Sequence, residues 1–329
     1  MQRVRILAIG LLAWMSGAAH AAQPGAAQPM PPPVDTASPM NGTEAPVIAD
    51  ILGRDPSQRL TLDVRFGDDG PHGFVVDTGA ERSVVAREIA ERLQLRPAGR
   101  ARIVGIAEVI ETDLVRAEAM SVGPVRLPSQ RIPVFAGAQI GGPGLIGLDA
   151  LEGHRLLIDF RAHRMELRPT SRRRDREISD GDAIVVTARR NAGRLIISDA
   201  RLGGRRIDLV LDTGSQTSIG NRAMQRFVAS NRSHGAPLTP GLILGVTGAR
   251  LPVERGVVTS IDLAGFTITD LPIAYGDSPA FAALGLERRP AMLLGMDALT
   301  LFDRVAIDFG SRRVWFDLPT RTRANRSIR

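Results

Sequence analysis

Two stretches of this sequence are near-copies of each other, and that duplication limits the folds open to the chain more than any other feature. Phe74-Val-Val-Asp-Thr-Gly-Ala80 recurs as Leu209-Val-Leu-Asp-Thr-Gly-Ser215. Gly105, in Ile-Val-Gly-Ile, is matched by Gly245 in Ile-Leu-Gly-Val. Leu145-Ile-Gly-Leu-Asp-Ala-Leu151 is matched by Leu293-Leu-Gly-Met-Asp-Ala-Leu299, and Ile158-Asp-Phe160 by Ile307-Asp-Phe309. The order is kept, and the offset grows only from 135 to 149 residues, as loop insertions would make it do. The 329 residues therefore hold two copies of one unit.

Each copy reads as short strands joined by turns. Thr61 to Phe66 alternates in character, a turn spans Gly67 to Gly73, and Phe74-Val75-Val76 is an apolar strand that delivers the Asp-Thr-Gly triplet into a loop. Val84 to Leu95 has helical spacing, and Ile219 to Val228 takes that place in the second copy. Gly123-Pro124 and Leu127-Pro128 mark turns between further β-rich stretches. Each copy then closes on a Leu-Ile-Gly or Leu-Leu-Gly strand, a short helix beginning near Asp149 or Asp297, and a hairpin. The hairpins run Leu156–Phe160 with Met165–Leu167 and Val305–Phe309 with Val314–Phe316. Asp149 and Asp297 read as helix caps, Asp159 and Asp308 as hairpin-turn residues. With 34 glycines, 22 prolines and only 4% aromatic residues, the class predicted is all-β, mainly β with short helices.

The flanks read differently. Arg3 and Arg5, the apolar Ile6 to Trp14 and the small-x-small Ala19-His20-Ala21 give residues 1–22 the form of a signal peptide cut near Ala21/Ala22, which predicts a periplasmic or secreted protein. The apolar stretch is short for a bilayer span, an uncleaved anchor being the alternative reading, and no other run is long enough, so no stable membrane span is expected after leader removal. Residues 23–46, with Pro31-Pro32-Pro33, read as a flexible spacer that serves equally as tether or propeptide. The first unit is then 47–170, a polar linker 171–182, the second unit 183–319, and 320–329 a basic tail.

Cysteine is absent, which excludes disulfides, thiolate metal sites and a thiol nucleophile. His72, His154, His163 and His234 form no His-x-x-x-His pair, so neither a metal nor any other cofactor is expected. The net charge of +7 gathers in Arg172-Arg173-Arg174 and the tail. Without aromatic or recognition-helix features beside it, that charge reads as solvated surface and no nucleic-acid partner is expected.

What remains is the pair of aspartates in matched loops, Asp77 and Asp212. Two carboxyl groups sharing one proton can activate water without metal or thiol. The ionised one takes a proton from water while the protonated one hydrogen-bonds the carbonyl under attack. A lone Asp-Thr-Gly is equally a turn before a helix. Two copies, each after an apolar strand and each followed by its own Gly-x-Asp motif, point to a dyad. Glycine at 79 and 214 permits close backbone approach, and the hydroxyls of Thr78 and Thr213 can reach backbone groups across a junction.

These residues resemble the aspartic proteases, and most closely their bacterial retropepsin-like branch. The pattern is apolar-apolar-Asp-Thr-Gly-Ala/Ser, with Leu-Leu-Gly-Met-Asp-Ala-Leu and a trailing Ile-Asp-Phe between 293 and 309. The resemblance spans about 47–318. It implies two pseudo-symmetric pepsin- or retropepsin-like β-barrel domains with the active site between them, both halves supplied by one monomeric chain. It implies Asp77 and Asp212 as the catalytic pair, with Thr78, Gly79, Thr213, Gly214 and Ser215 in support. Gly105 and Gly245 fall where the family has its substrate-covering flap, although neither stretch contains a tyrosine, Tyr275 being the only one. A hydroxyl at Ser215, opposite Ala80, is expected to bond the adjacent carboxylate and make Asp212 the more acidic member, leaving Asp77 as proton carrier. The activity implied is endopeptidase cleavage of peptides or unfolded proteins. The alternatives are a catalytically silent peptide- or envelope-binding module on the same scaffold, or a monomer inactive until it dimerises. Glu81 and Gln216 occupy matching places beyond the triplets where they could face the cleft.

Overall fold

The computed structural model describes residues 4–7, 53–54, 60–123, 125–171, 183–191, 194–230 and 237–319. The spacer, nearly all of the linker, the basic tail and the Ala21/Ala22 cleavage point lie outside the described residues. Of the leader, Val4–Leu7 is described, as a strand parallel to Phe266–Thr269.

The fold is mostly β and consists of two similarly built units. In the first, Asp69–Val76 carries the chain into the Asp77 triplet and is paired antiparallel with Leu60–Phe66. Its other neighbour is the closing strand Gly144–Ile146, in parallel, with Leu145 opposite Val75 and Ile146 opposite Val76. The second unit repeats this. Arg205–Leu211 lies antiparallel to Arg194–Leu202 and parallel to Ala291–Leu294, with Leu293 opposite Val210 and Leu294 opposite Leu211. A strand covered on both faces needs apolar side chains on both, and Phe74, Val75, Val76, Leu209, Val210 and Leu211 are all buried. Each such side chain contributes roughly 1.5–3 kcal/mol, so the triplets hang from firmly held strands.

The helical spacing over Val84–Leu95 was only half a helix. Val84–Ala86 is a strand, parallel to Val134–Phe135 and antiparallel to Gly144–Leu145, and the helix is Arg87–Arg92. The second copy divides the same way, into strand Ile219–Gly220 and helix Arg222–Ser230. Val84, Val85 and Ile219 are β-branched and fill the sheet beside the closing strand, an option local periodicity does not register. The turn placed across Gly67–Gly73 is also shorter, because the strand already begins at Asp69.

The two terminal hairpins do not stay within their own units. His154–Asp159 of the first pairs antiparallel with Arg304–Asp308 of the second, Leu156 opposite Ile307. With Arg164–Pro169, Arg313–Asp317 and Ile184–Thr187 they form one five-stranded sheet shared by both copies. Asp159 accepts from the Ala162 N–H at 2.8 Å, as a turn residue does. Asp308 accepts from the Ser311 N–H at 2.7 Å but also pairs with Arg155 across the units, Nε to Oδ2 at 2.8 Å, with both side chains buried.

Candidate active site

The loop after each apolar strand is tied at both ends. The Asp77 N–H donates to Ile146 O at 2.9 Å, and the Asp212 N–H to Leu294 O at 3.0 Å, so both aspartates sit at the tip of the triplet-strand and closing-strand pair. Behind them the loop is clamped by the Gly-x-Asp segment. Asp149 Oδ1 accepts from the Ser83 N–H at 2.8 Å and its hydroxyl at 2.7 Å. Asp297 accepts from the Ser218 N–H at 2.9 Å and hydroxyl at 2.6 Å. Those hydroxyls in turn accept from the Gly147 and Gly295 N–H groups, each at 3.1 Å. A Cβ on Gly147 would lie 2.4 Å from the Arg82 carbonyl carbon, and one on Gly295 2.8 Å from that of Thr217, so only glycine lets the two segments touch.

Asp149 and Asp297 do not stand at the N-cap positions, although each carboxylate accepts from an N–H of its helix's first turn, Ala150 N at 2.9 Å and Ala298 N at 2.8 Å. They are the second residues of helices Leu148–Leu151 and Met296–Leu299, whose N-cap positions are Gly147 and Gly295. Their carboxylates hold the Asp-Thr-Gly loops. Ser83 and Ser218 were missed in the sequence, although they repeat at the same spacing from their triplets.

Across the junction the threonines interlock. The Thr78 hydroxyl donates to Leu211 O at 2.9 Å and accepts from the Thr213 N–H at 3.1 Å. The Thr213 hydroxyl donates to Val76 O at 2.7 Å and accepts from the Thr78 N–H at 3.1 Å. Both side chains are buried. Four hydrogen bonds in a water-poor junction leave little freedom for one loop to slide past the other.

That register brings Asp77 and Asp212 together. A Cβ built on Gly79 would lie 2.7 Å from Asp212 Cγ, and one on Gly214 2.4 Å from Asp77 Cγ. Each carboxylate also takes hydrogen bonds from its own loop. Asp77 Oδ1 accepts from Gly79 N at 2.8 Å and Ala80 N at 3.0 Å, and Asp212 Oδ1 from Gly214 N at 3.1 Å and Ser215 N at 3.2 Å. Burial raises the pKa of both, and Asp212, next to the Asp77 charge, is pushed up to about 7. Asp77 is relieved by the Gly79 N–H, the positive charge of Arg194, the Ala80 N–H and a hydrogen bond with Asp212. Burial therefore keeps the pair from carrying two negative charges, and the two carboxyls share one proton.

The contact expected of the Ser215 hydroxyl is not made. Its hydroxyl donates to Thr217 O at 2.7 Å, and it meets Asp212 only through its main-chain N–H. The short turn after the triplet offers a nearer acceptor than the carboxylate. Glu81 and Gln216 are exposed, and their carbonyls accept from the Asp149 and Asp297 N–H groups, each at 3.2 Å.

Gly105 and Gly245 lie in the turns of two β-hairpins. The first joins Pro97–Val104 to Val109–Ala117 and the second Thr239–Leu244 to Arg250–Leu263. The Gly105 N–H closes on Glu108 O at 2.9 Å, and that of Gly245 on Ala249 O at 2.8 Å. The tips meet: a Cβ on Gly245 would lie 3.2 Å from Ile106 Cγ2 and 3.4 Å from Ala107 Cβ. The Gln139 amide adds a bond to Thr247 O at 2.9 Å. Tyr275 is far from a flap role, buried at the end of the strand Phe266–Tyr275.

Similarity to known proteins follows the same residues. No curated protein matches the chain. Among solved structures, a retropepsin-like aspartic protease from Rickettsia conorii is similar at 15% identity and a TM-score of 0.30, over 41% of this chain and 90% of that one. The sequence profile described as aspartyl protease matches residues 62–150 and 198–298, which take in both triplets and both Gly-x-Asp motifs and amount to more than half of the chain. On that match, the chain belongs to the aspartyl protease family.

Proposed function

We propose that this protein is an aspartic endopeptidase in which one chain supplies both catalytic carboxyls, Asp77 and Asp212. The observation that carries the reading is the mutual placement of the two loops, each triplet glycine standing against the other unit's carboxyl. Asp77, ionised, takes a proton from the attacking water. Asp212, protonated, donates to the peptide carbonyl oxygen as it gains charge. Asp77 then returns its proton to the departing nitrogen, and the carboxyl pair is left ready for a second water.

The substrate is an extended segment of a peptide or unfolded protein, bound as a strand through its backbone. The touching hairpin tips at Ile106 and Gly245 must part to admit it. A periplasmic or secreted location belongs to the same reading and rests on residues 1–22 alone; cell fractionation with an antibody to the second unit checks it.

The deciding experiment compares cleavage of an unfolded-protein mixture by wild type, Asp77→Asn and Asp212→Asn from acidic to neutral pH. Cleavage by wild type only is the expected result. Equal cleavage by all three, or none by wild type, sinks the assignment. Retained peptide binding without any turnover would favour the silent binding module.

A further inference from the structure

Arg194 begins the strand Arg194–Leu202 of the second unit, yet its Nε donates to the carbonyl oxygen of Gly79 in the first, at 2.6 Å. Gly79 has two other engagements. Its N–H donates to Asp77 Oδ1 at 2.8 Å, and its α-carbon stands against the Asp212 carboxyl. A single guanidinium is thus bonded to one of the two peptide segments that touch both members of the pair, the other being Gly214.

We propose that Arg194 is a positioning residue of the dyad, fixing the Gly79 peptide from the opposite unit and setting a permanent positive charge beside two carboxyls that share one negative charge. The proposal rests on the reading of Asp77 and Asp212 as the working pair. A desolvated monoanionic pair is costly without a counter-charge, and an arginine keeps its charge at every pH the protein meets. The charge of Arg194 bears on both aspartates and lowers both, against the larger upward effect of burial.

Arg82, in the loop after the first triplet, bears on Asp149 and donates from Nη1 to Arg131 O at 3.4 Å. The closing strands Gly144–Ile146 and Ala291–Leu294 carry no charge. The helices behind the loops bring Asp149 and Asp297, both engaged by serines, and Glu81 is exposed. The repeat places Arg59-Leu60 where the second copy has Arg194-Leu195, but Arg59 lies outside the described residues. Only the second-unit arginine enters the proposal.

The test is a carboxyl-carbon NMR titration of aspartate-labelled full-length protein, run for wild type, Arg194→Gln, Arg194→Met and Arg194→Lys, with the pH–rate profile beside it. Either neutral variant should raise the titration of the dyad by on the order of one pH unit and move the pH–rate profile the same way. Arg194→Lys, which keeps the charge, should restore the wild-type midpoint. An unchanged midpoint in a folded neutral variant overturns the proposal, as does an equal shift in the lysine variant. If both neutral variants fail to fold while Arg194→Lys folds normally, Arg194 serves the interface and the tuning role is lost. A midpoint shift in a protein that cleaves nothing would uphold the role of Arg194 and sink the protease reading instead.

Discussion

Gly214 of the second unit lies directly against the Asp77 carboxyl of the first, so that a Cβ on it would fall 2.4 Å from Asp77 Cγ and within 2.7 Å of both carboxyl oxygens. The obstacle is a pinned side chain, since Asp77 Oδ1 is held by the Gly79 and Ala80 N–H groups. Gly214→Ala is therefore expected to displace one carboxyl from the other while leaving both units folded. Displacements of about 1 Å at reacting groups cost on the order of 100-fold, so kcat/KM should drop by at least about that factor with an unaltered circular dichroism spectrum.

The dyad should also leave a mark on stability. Asp212 has an ordinary pKa of 3.8 and is pushed up to about 7 in the folded protein by burial and the Asp77 charge. Between those values the folded state binds more protons than the unfolded chain. The stability associated with this proton is complete below about pH 4 and is lost as pH rises through about 7, with a slope of up to about 1.4 kcal/mol per pH unit. Asp212→Asn removes the titration, so its advantage over wild type should grow from pH 4 to pH 8. Urea unfolding midpoints across that range provide the measurement, and parallel pH curves would contradict the assignment.

Ser215→Ala should leave the pH–rate profile where it is. The hydroxyl it removes is bonded to Thr217 O, whereas the main-chain N–H that reaches Asp212 is retained. A movement of the acidic limb on this substitution would restore the hydroxyl to the carboxylate and reverse the proton assignment.

The sheet shared by the two units depends on a buried ion pair. Arg155 contacts Asp308 through Nε and Nη2, at 2.8 and 2.6 Å, and stacks over Trp315 at 4.9 Å. Arg155→Met leaves the buried Asp308 charge with only the Thr170 hydroxyl and the Ser311 N–H, and should cost about 3–5 kcal/mol. Adding Asp308→Asn should recover part of that loss. Chemical denaturation of the two variants separates these outcomes, and additive losses would show the pair to be uncoupled.

The sequence by itself determined the duplication, the β class and the family of this protein. Repetition is a one-dimensional property, and the apolar runs before Asp77 and Asp212 are long enough to declare buried strands. It also contained, unread, the repeated Ser83 and Ser218. The division of Val84–Leu95 into strand and helix was not legible, because Val84 and Val85 satisfy helical spacing and sheet packing alike until a closing strand is there to pair with them. Only the tertiary structure decided how the two carboxyls meet and what charge stands beside them. That arrangement depends on the Thr78–Thr213 interlock, on each triplet glycine standing against the other unit's carboxyl, and on Arg194 reaching Gly79, all contacts of a few ångströms between residues far apart in the chain. The same holds for the pairing of His154–Asp159 with Arg304–Asp308, since a free hairpin edge carries no label for its partner.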